Sequence, residues 1–258
     1  MVTTVRSMLR RTARSVLKTG NTRVDFARRF PDEHDVVLHY HAVGGVGWDS
    51  IPPAWFQSHL EWLTTQYRVV DLPEVLTPSP KKRIVLTFDD GLQCFYDTVL
   101  PLVREYGIPV TVYVIGDAIR DREPDYMPVK CEFMTRVQLD EVVDEPLVTI
   151  GNHTRTHARL PALDRYAIKA EVNGGKEIID AELGIDVDRF CYPHGESDPR
   201  AVDVVSDRHE TAVVGGDATP KTVADPYLVP RTSGAVPPSE LRWHVPDFPK
   251  CWPIRSPG

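Results

Sequence analysis

From about residue 35 onward the chain alternates short β-rich runs with helix-length segments, and this alternation restricts the fold more than any other feature. A strand, a helix and a second strand in that rhythm make a crossover unit, so the pattern predicts a parallel α/β domain. The candidate strands are Val36 to His41, Arg83 to Asp89, Val110 to Gly116, Val148 to His153, Arg189 to Tyr192, Thr211 to Gly215 and Tyr227 to Arg231. The helices expected between them run from Pro53 to Tyr67, Leu92 to Tyr106, Thr135 to Asp144, Leu163 to Leu183 and Pro199 to Arg208. Several open on Pro or a capping side chain, and Gly107 and Gly184 stand where a helix would stop. With 258 residues, 41% of them hydrophobic, the chain has material for one sizeable core.

The flanks read differently. Residues 1–34 hold no acid before Asp25, and on a helical wheel Val5, Met8, Leu9, Ala13 and Val16 oppose Arg6, Arg10, Arg11, Arg14 and Lys18. Such a basic amphipathic helix either packs on its own domain or lies on an anionic membrane surface through residues 1–24. The same cationic residues interrupt any secretory apolar core, so a cytoplasmic location, at the inner membrane surface, is expected. Residues 237–258 are proline-rich and are expected to form an irregular tail, which leaves 35–236 as the principal domain. A formal charge of −7 argues against nucleic acid as a partner, because phosphate binding needs a clustered positive excess. Cys94, Cys131, Cys191 and Cys251 form no CxxC pair and read as thiols.

Three strand ends carry chemistry. Arg83-Ile84-Val85-Leu86-Thr87-Phe88 is a buried-strand run that ends in Asp89-Asp90-Gly91. Alone that ending is a turn, but two adjacent carboxylates at the C-terminal end of a parallel strand repel unless a cation or a proton relieves them. Val148-Thr149-Ile150-Gly151-Asn152 leads into His153-Thr154-Arg155-Thr156-His157, and on a helical turn that spacing puts both imidazoles on one face. Two His and one Asp supply three ligands to a zinc-like ion and leave a position open, a set that also suits non-haem iron. The third end, Arg189-Phe190-Cys191-Tyr192-Pro193-His194-Gly195, reads as a strand and a turn.

In order and spacing these segments resemble the first three motifs of the polysaccharide deacetylase family, and Leu38-His39-Tyr40-His41 resembles an early element of its exopolysaccharide branch. The resemblance implies a distorted, incompletely closed (β/α)7 barrel and a hydrolase that removes acetyl groups, foremost N-acetyl, from an acetylated carbohydrate. It implies that Asp90, His153 and His157 hold Zn²⁺, with Co²⁺, Ni²⁺ or Mn²⁺ as alternatives. Asp89 would then take a proton from the attacking water, the backbone N–H of His194 would meet the oxyanion, and His41, Tyr192 and Pro193 would face the substrate.

Two departures stand out against the family pattern. Cys191 occupies the place of an arginine that holds the catalytic aspartate, and Arg231 is the residue that can reach the same space from another strand. The late Leu-x-x-His element is not evident near Tyr227 to Arg231, which leaves His41, His194 and His244 as candidates for the proton donor. A non-catalytic carbohydrate-binding protein and a cyclic-amide hydrolase are the competing readings.

Overall fold

The structure is a computed structural model that describes residues 35–79, 82–122, 124, 130–215 and 225–245. The basic helix read over residues 1–34 lies outside them, as does Cys251. The chain divides into one unit spanning His34–Ala235 and another made of Met1–Glu33 with Val236–Gly258. In the second unit a helix covers Pro238–His244, where an irregular tail was expected. Proline fits the first turn of a helix because its missing N–H would have no partner there, so proline richness at this point marks a start.

In the larger unit the strands are β1 (Val36–Tyr40), β2 (Arg68–Val69), β3 (Arg83–Phe88), β4 (Val110–Val114), β5 (Val148–Asn152), β6 (Arg189–Cys191), β7 (Thr211–Val214), β8 (Val229–Pro230) and β9 (Thr232–Ser233). The helices are α1 (Pro53–Gln66), α2 (Leu100–Tyr106), α3 (Gly116–Ile119), α4 (Arg136–Val143), α5 (Arg165–Leu183) and α6 (Pro199–Ser206). Every strand pair is parallel, in the order β8-β7-β6-β5-β4-β3-β1-β9. The two ends of that order are one stretch of chain. Val229–Pro230 pairs with β7, Thr232–Ser233 pairs with β1, and Arg231 stands between the two ladders. The sheet is therefore a barrel of seven staves, as expected, nearly closed and with one unsealed seam at Arg231.

The distortion has a cause that the sequence pattern hid. β2 pairs with Arg83 and Ile84, and β1 already takes the other edge of β3 from Ile84 to Phe88. β2 thus shares the β4-facing edge, and β4 pairs with β3 only at Thr87 and Phe88. A two-residue strand with no apolar run gives no periodic signal. The helix expected from Leu92 also differs. Phe95–Val99 forms a π-turn before α2, closed by Leu100 N–H donating to the Phe95 carbonyl. Pro101 cannot donate to the carbonyl four residues back, and the wider turn absorbs that break.

Strand alternation assigns one set of side chains to the barrel interior. Val37, Val85, Tyr113, Cys191, Val213 and Val229, one from each of six staves, form a single buried cluster, and Val70, Leu72 and Val75 pack beneath it. The seventh stave contributes Gly151, where a Cβ would come within 2.5 Å of the Tyr113 ring. Residues of opposite parity, among them Phe190, Tyr192 and Ala212, pack outward against Ile168 and Val172 of α5 and Ala201 and Val204 of α6.

Helix α5 starts at Asp164, whose side chain accepts from Ala167 N–H, and stops at Gly184 in the left-handed conformation. Its Gly175 lies directly on the chain that leaves β5: an added Cβ would meet Asn152 Oδ1 at 2.5 Å and the Thr154 carbonyl carbon at 2.6 Å. At Gly174 the nearest atom would be Arg155 Cδ at 3.5 Å. Gly175→Ala is expected to lower stability by about 1–3 kcal/mol through overpacking. Gly174→Ala should gain up to ~1 kcal/mol from helix propensity. Urea unfolding of the two variants checks the pair, and equal shifts would contradict the close approach.

Candidate active site

The C-terminal ends of the staves open into a cavity of about 380 Å³, lined among others by His41, Asp89, Asp90, His153, His157 and Arg231. Asp89 N–H donates to the Tyr40 carbonyl at 2.9 Å and so extends the β1–β3 pairing by one residue. The chain then reverses through Asp90 at φ 72° and Gly91 at φ 71°. A Cβ at Gly91 would lie 2.9 Å from Val114 Cγ1, so both the angle and the space require glycine. Asp90 is a non-glycine residue in the same region, a conformation that costs of order 1 kcal/mol and concentrates at functional sites. The reversal puts two consecutive carboxylates into one cavity.

The two histidines converge by a different route from the helical turn expected. Residues 153–157 form a loop in which Thr154 (φ 66°) and His157 (φ 65°) are left-handed. Side chains satisfy its backbone: Thr154 N–H donates to Asn152 Oδ1 at 2.9 Å, His157 N–H to Thr154 Oγ1 at 3.0 Å, and Thr156 N–H to Glu171 at 2.9 Å. Asn152 is itself fixed, with Nδ2 donating to the Val172 carbonyl at 2.9 Å and to His209 Nε2 at 3.1 Å. His209 Nδ1–H donates to the Val205 carbonyl at 3.2 Å. Burial lowers the His209 pKa to about 4, so this ring is neutral and accepts from Asn152.

Arg231 reaches in from the seam and takes both oxygens of Asp89. Nη1 donates to Oδ1 and Nη2 to Oδ2, each at 2.7 Å, with further contacts from Nη1 to Thr87 Oγ1 and from Nη2 to Cys191 Sγ, both at 3.0 Å. Its guanidinium carbon stands 5.9 Å above the Tyr113 ring. Burial pushes the Asp89 carboxyl up, but the charge and hydrogen bonds of Arg231 outweigh it and hold Asp89 well below the usual carboxylate range. Burial likewise pushes Asp90 up; His41 and His153 pull it down, Asp89 adds to the rise, and the net shift is upward. Adjacent in sequence, the two carboxylates are driven apart by their partners.

Asp90, His153 and His157 fit a divalent ion. Their Oδ1 and Nε2 atoms lie 3.5 Å (His153) and 3.6 Å (His157) apart, and all three potential ligand atoms fall within 4.8 Å of one another. Two atoms each ~2.1 Å from a tetrahedral centre are separated by about 3.4 Å. Asp90 Oδ1 is buried and, among the described residues, accepts no hydrogen bond. His153 Nδ1–H donates to the Cys191 carbonyl at 2.8 Å, which fixes the tautomer whose Nε2 lone pair faces Asp90. Asp89 can be grouped with His39 and His41, or with His153 and Cys191, in the same manner. Both of its oxygens are taken by Arg231, which makes those sets poor donors.

Of the remaining residues read from the sequence, His41 stands with Nε2 3.8 Å from Asp89 Oδ2, and the His194 ring is 4.7 Å from that of His157. Tyr192 and Pro193 are placed elsewhere. Both are buried and neither lines the cavity; Tyr192 packs edge-on against Phe190 at 5.0 Å. Cys191 points inward, so the period of two sends Tyr192 outward. The side chain of His244 lies outside the described residues. Asn152 and His209 were missed, since buried polar partners distant in sequence leave no local pattern.

Residues 77–213 match the family model for polysaccharide deacetylases. The chain belongs to the polysaccharide deacetylase family. Its relatives include the poly-beta-1,6-N-acetyl-D-glucosamine N-deacetylase of Escherichia coli strain K12, 23% identical, with 67% of this chain and 32% of that protein covered. The chitooligosaccharide deacetylase of Rhizobium leguminosarum bv. trifolii is 31% identical over 39% of this chain and 41% of its own. Overall, the chain spans 24% to 56% of the lengths of the curated relatives it matches. In fold it resembles IcaB from Ammonifex degensii, with a TM-score of 0.68 at 21% identity, covering 84% of this chain and 97% of that one.

Two measurements probe the buried charges of this family member. Arg231→Met strands the Asp89 carboxylate and is expected to cost about 3–5 kcal/mol. Combined with Asp89→Asn it should cost less than the sum of the single changes, by at least ~2 kcal/mol in a double-mutant cycle read by urea unfolding. Additive effects would contradict the pairing. His209 supplies the pH dependence: below its ordinary value of 6.5 the unfolded chain binds a proton that the folded one refuses until about pH 4. Stability is therefore complete above about 6.5 and is lost as pH falls towards 4, by up to ~3 kcal/mol. His209→Gln should remove that part of the slope.

Proposed function

We propose that this chain is a metal-dependent hydrolase that removes the N-acetyl group of an amino sugar within a glycan. The observation that carries the reading is a buried carboxylate clamped by Arg231 beside a separate Asp-His-His set, both on the floor of one cavity. Base catalysis and ligation are thus assigned to different carboxylates. Asp90, His153 and His157 would hold the ion, which when bound makes a nearby water more acidic and polarises an acetyl carbonyl.

The chain's own groups supply the rest. Asp89 is ionised at any ordinary pH and held in one orientation by two hydrogen bonds, ready to accept the proton of the attacking water. The clamp weakens it as a base, so the proton is held only briefly and passes on. His41, with Nε2 3.8 Å from Asp89, would deliver a proton to the leaving amine. His194, at φ 59° in a turn on the cavity wall, offers its backbone N–H to the developing oxyanion. Acetate and a free amine leave. The loss of arginine at position 191 favoured a non-catalytic reading only while nothing else held Asp89. Arg231 supplies that contact.

Zinc-loaded protein is expected to release acetate from N-acetylglucosamine oligomers. Asp89→Asn should lower kcat at least ~100-fold, and His153→Ala should abolish stoichiometric zinc in elemental analysis. Full activity in Asp89→Asn, or undiminished zinc in His153→Ala, would overturn the assignment.

A further inference from the structure

The cavity floor is buried and polar, but its rim carries an aromatic ring that the acetyl chemistry does not use. Trp48 lines the cavity while 53% of it remains exposed to water. An exposed indole forgoes the burial that usually holds this side chain in place. Here the backbone does the holding. Residues 42–51 leave β1 as a loop closed at its base by Ile51 N–H to the Ala42 carbonyl at 3.0 Å and Gly44 N–H to the Ile51 carbonyl at 2.9 Å. Ser50 Oγ–H donates across it to the Gly45 carbonyl at 2.7 Å.

The underside of the loop is pressed onto the segment that follows the two carboxylates. A Cβ at Gly45 would fall 2.6 Å from Cys94 Cβ, and one at Gly47 would fall 2.7 Å from Leu92 Cδ1 and 2.8 Å from Ala42 Cβ. The glycines let the loop seat this closely, and so fix the backbone that carries Trp48 relative to Asp89 and Asp90. Beside it, Asp49 adopts φ 49° and also lines the cavity with its exposed side chain. A rigid, solvated aromatic face next to a carboxylate is a surface already organised for an amphipathic ring.

A pyranose ring is such a partner. One face presents C–H groups to the negative face of an indole, and its edge presents hydroxyl groups that a carboxylate accepts. We propose that Trp48 is the platform on which a pyranose ring of the substrate stacks, with Asp49 accepting from its hydroxyls, so that the acetyl group is delivered to the buried floor. The inference rests on the deacetylase reading and assigns the residue that selects a sugar over other acetylated amides.

The test splits KM from kcat on the zinc-loaded chain with an N-acetylglucosamine oligomer, and adds calorimetric titration with the deacetylated oligomer, which is not turned over. Trp48→Ala should raise KM and the product Kd about tenfold with kcat within about twofold, the size of one lost aromatic contact. Trp48→Phe should stay within about threefold of the parent, because it keeps an aromatic face. Unchanged KM and Kd in Trp48→Ala, or a fall in kcat alone, would overturn the platform. A parent protein that binds the oligomer through Trp48 yet releases no acetate would instead sink the deacetylase reading and leave the platform standing; a parent that neither binds nor hydrolyses it overturns both.

Discussion

Asp89 and Arg231 are both shut away from water, and neither charge is tolerable there without the other. Desolvating an isolated carboxylate or guanidinium costs several kcal/mol, and only a close, fully hydrogen-bonded pair recovers it. The structure supplies a bidentate pair with two bonds of 2.7 Å, while Arg231 Nε finds no partner among the described residues. It also makes the pair a structural joint, because Arg231 is the single residue between the β7 and β1 ladders. The segment that closes the barrel is therefore pinned at its centre by the carboxylate assigned to the chemistry. Closure of the barrel and the orientation of Asp89 come from one contact.

The same contact gives two neighbouring aspartates opposite electrostatic environments. Both are buried, and burial alone would push both towards the neutral acid. Arg231 reverses the shift at Asp89, whereas Asp90 faces the imidazoles of His153 and His157 and keeps a buried oxygen without a hydrogen bond among the described residues. A divalent ion would answer that deficit, and a second arginine would exclude it. A separation of one residue in sequence becomes an electrostatic separation through the identity of each carboxylate's partner.

Much of this was legible in the sequence, and the limits follow from range. The seven staves, the ends of most helices and the Asp-His-His set rest on short-range pattern: a period of two, caps, glycine stops and motifs of five to seven residues. β2 and the π-turn escaped because one is too short to be periodic and the other depends on a single proline inside a helical pattern. The helical reading of His153 to His157 failed because the loop is shaped by Asn152, Glu171 and His209, which lie up to 57 residues apart in hydrogen-bonded pairs. Tyr192 and Pro193 fell at a correctly placed strand end, but neither lines the cavity. Trp48 carried no motif, and only its exposure at a cavity rim sets it apart.

The exchange at position 191 shows why a barrel tolerates such changes. Its interior is one shared volume, reached from every stave at the same height, so a required group is specified by where its charge sits and not by which strand carries it. Cys191 Sγ lies 3.0 Å from Arg231 Nη2, and the small thiol leaves the room that the guanidinium fills. The two positions act as a unit: a long side chain at 191 would collide with Arg231, and a short one at 231 would leave Asp89 buried and alone. Position 191 carries no arginine, but the charge is present in the same volume, entering through the seam at Arg231.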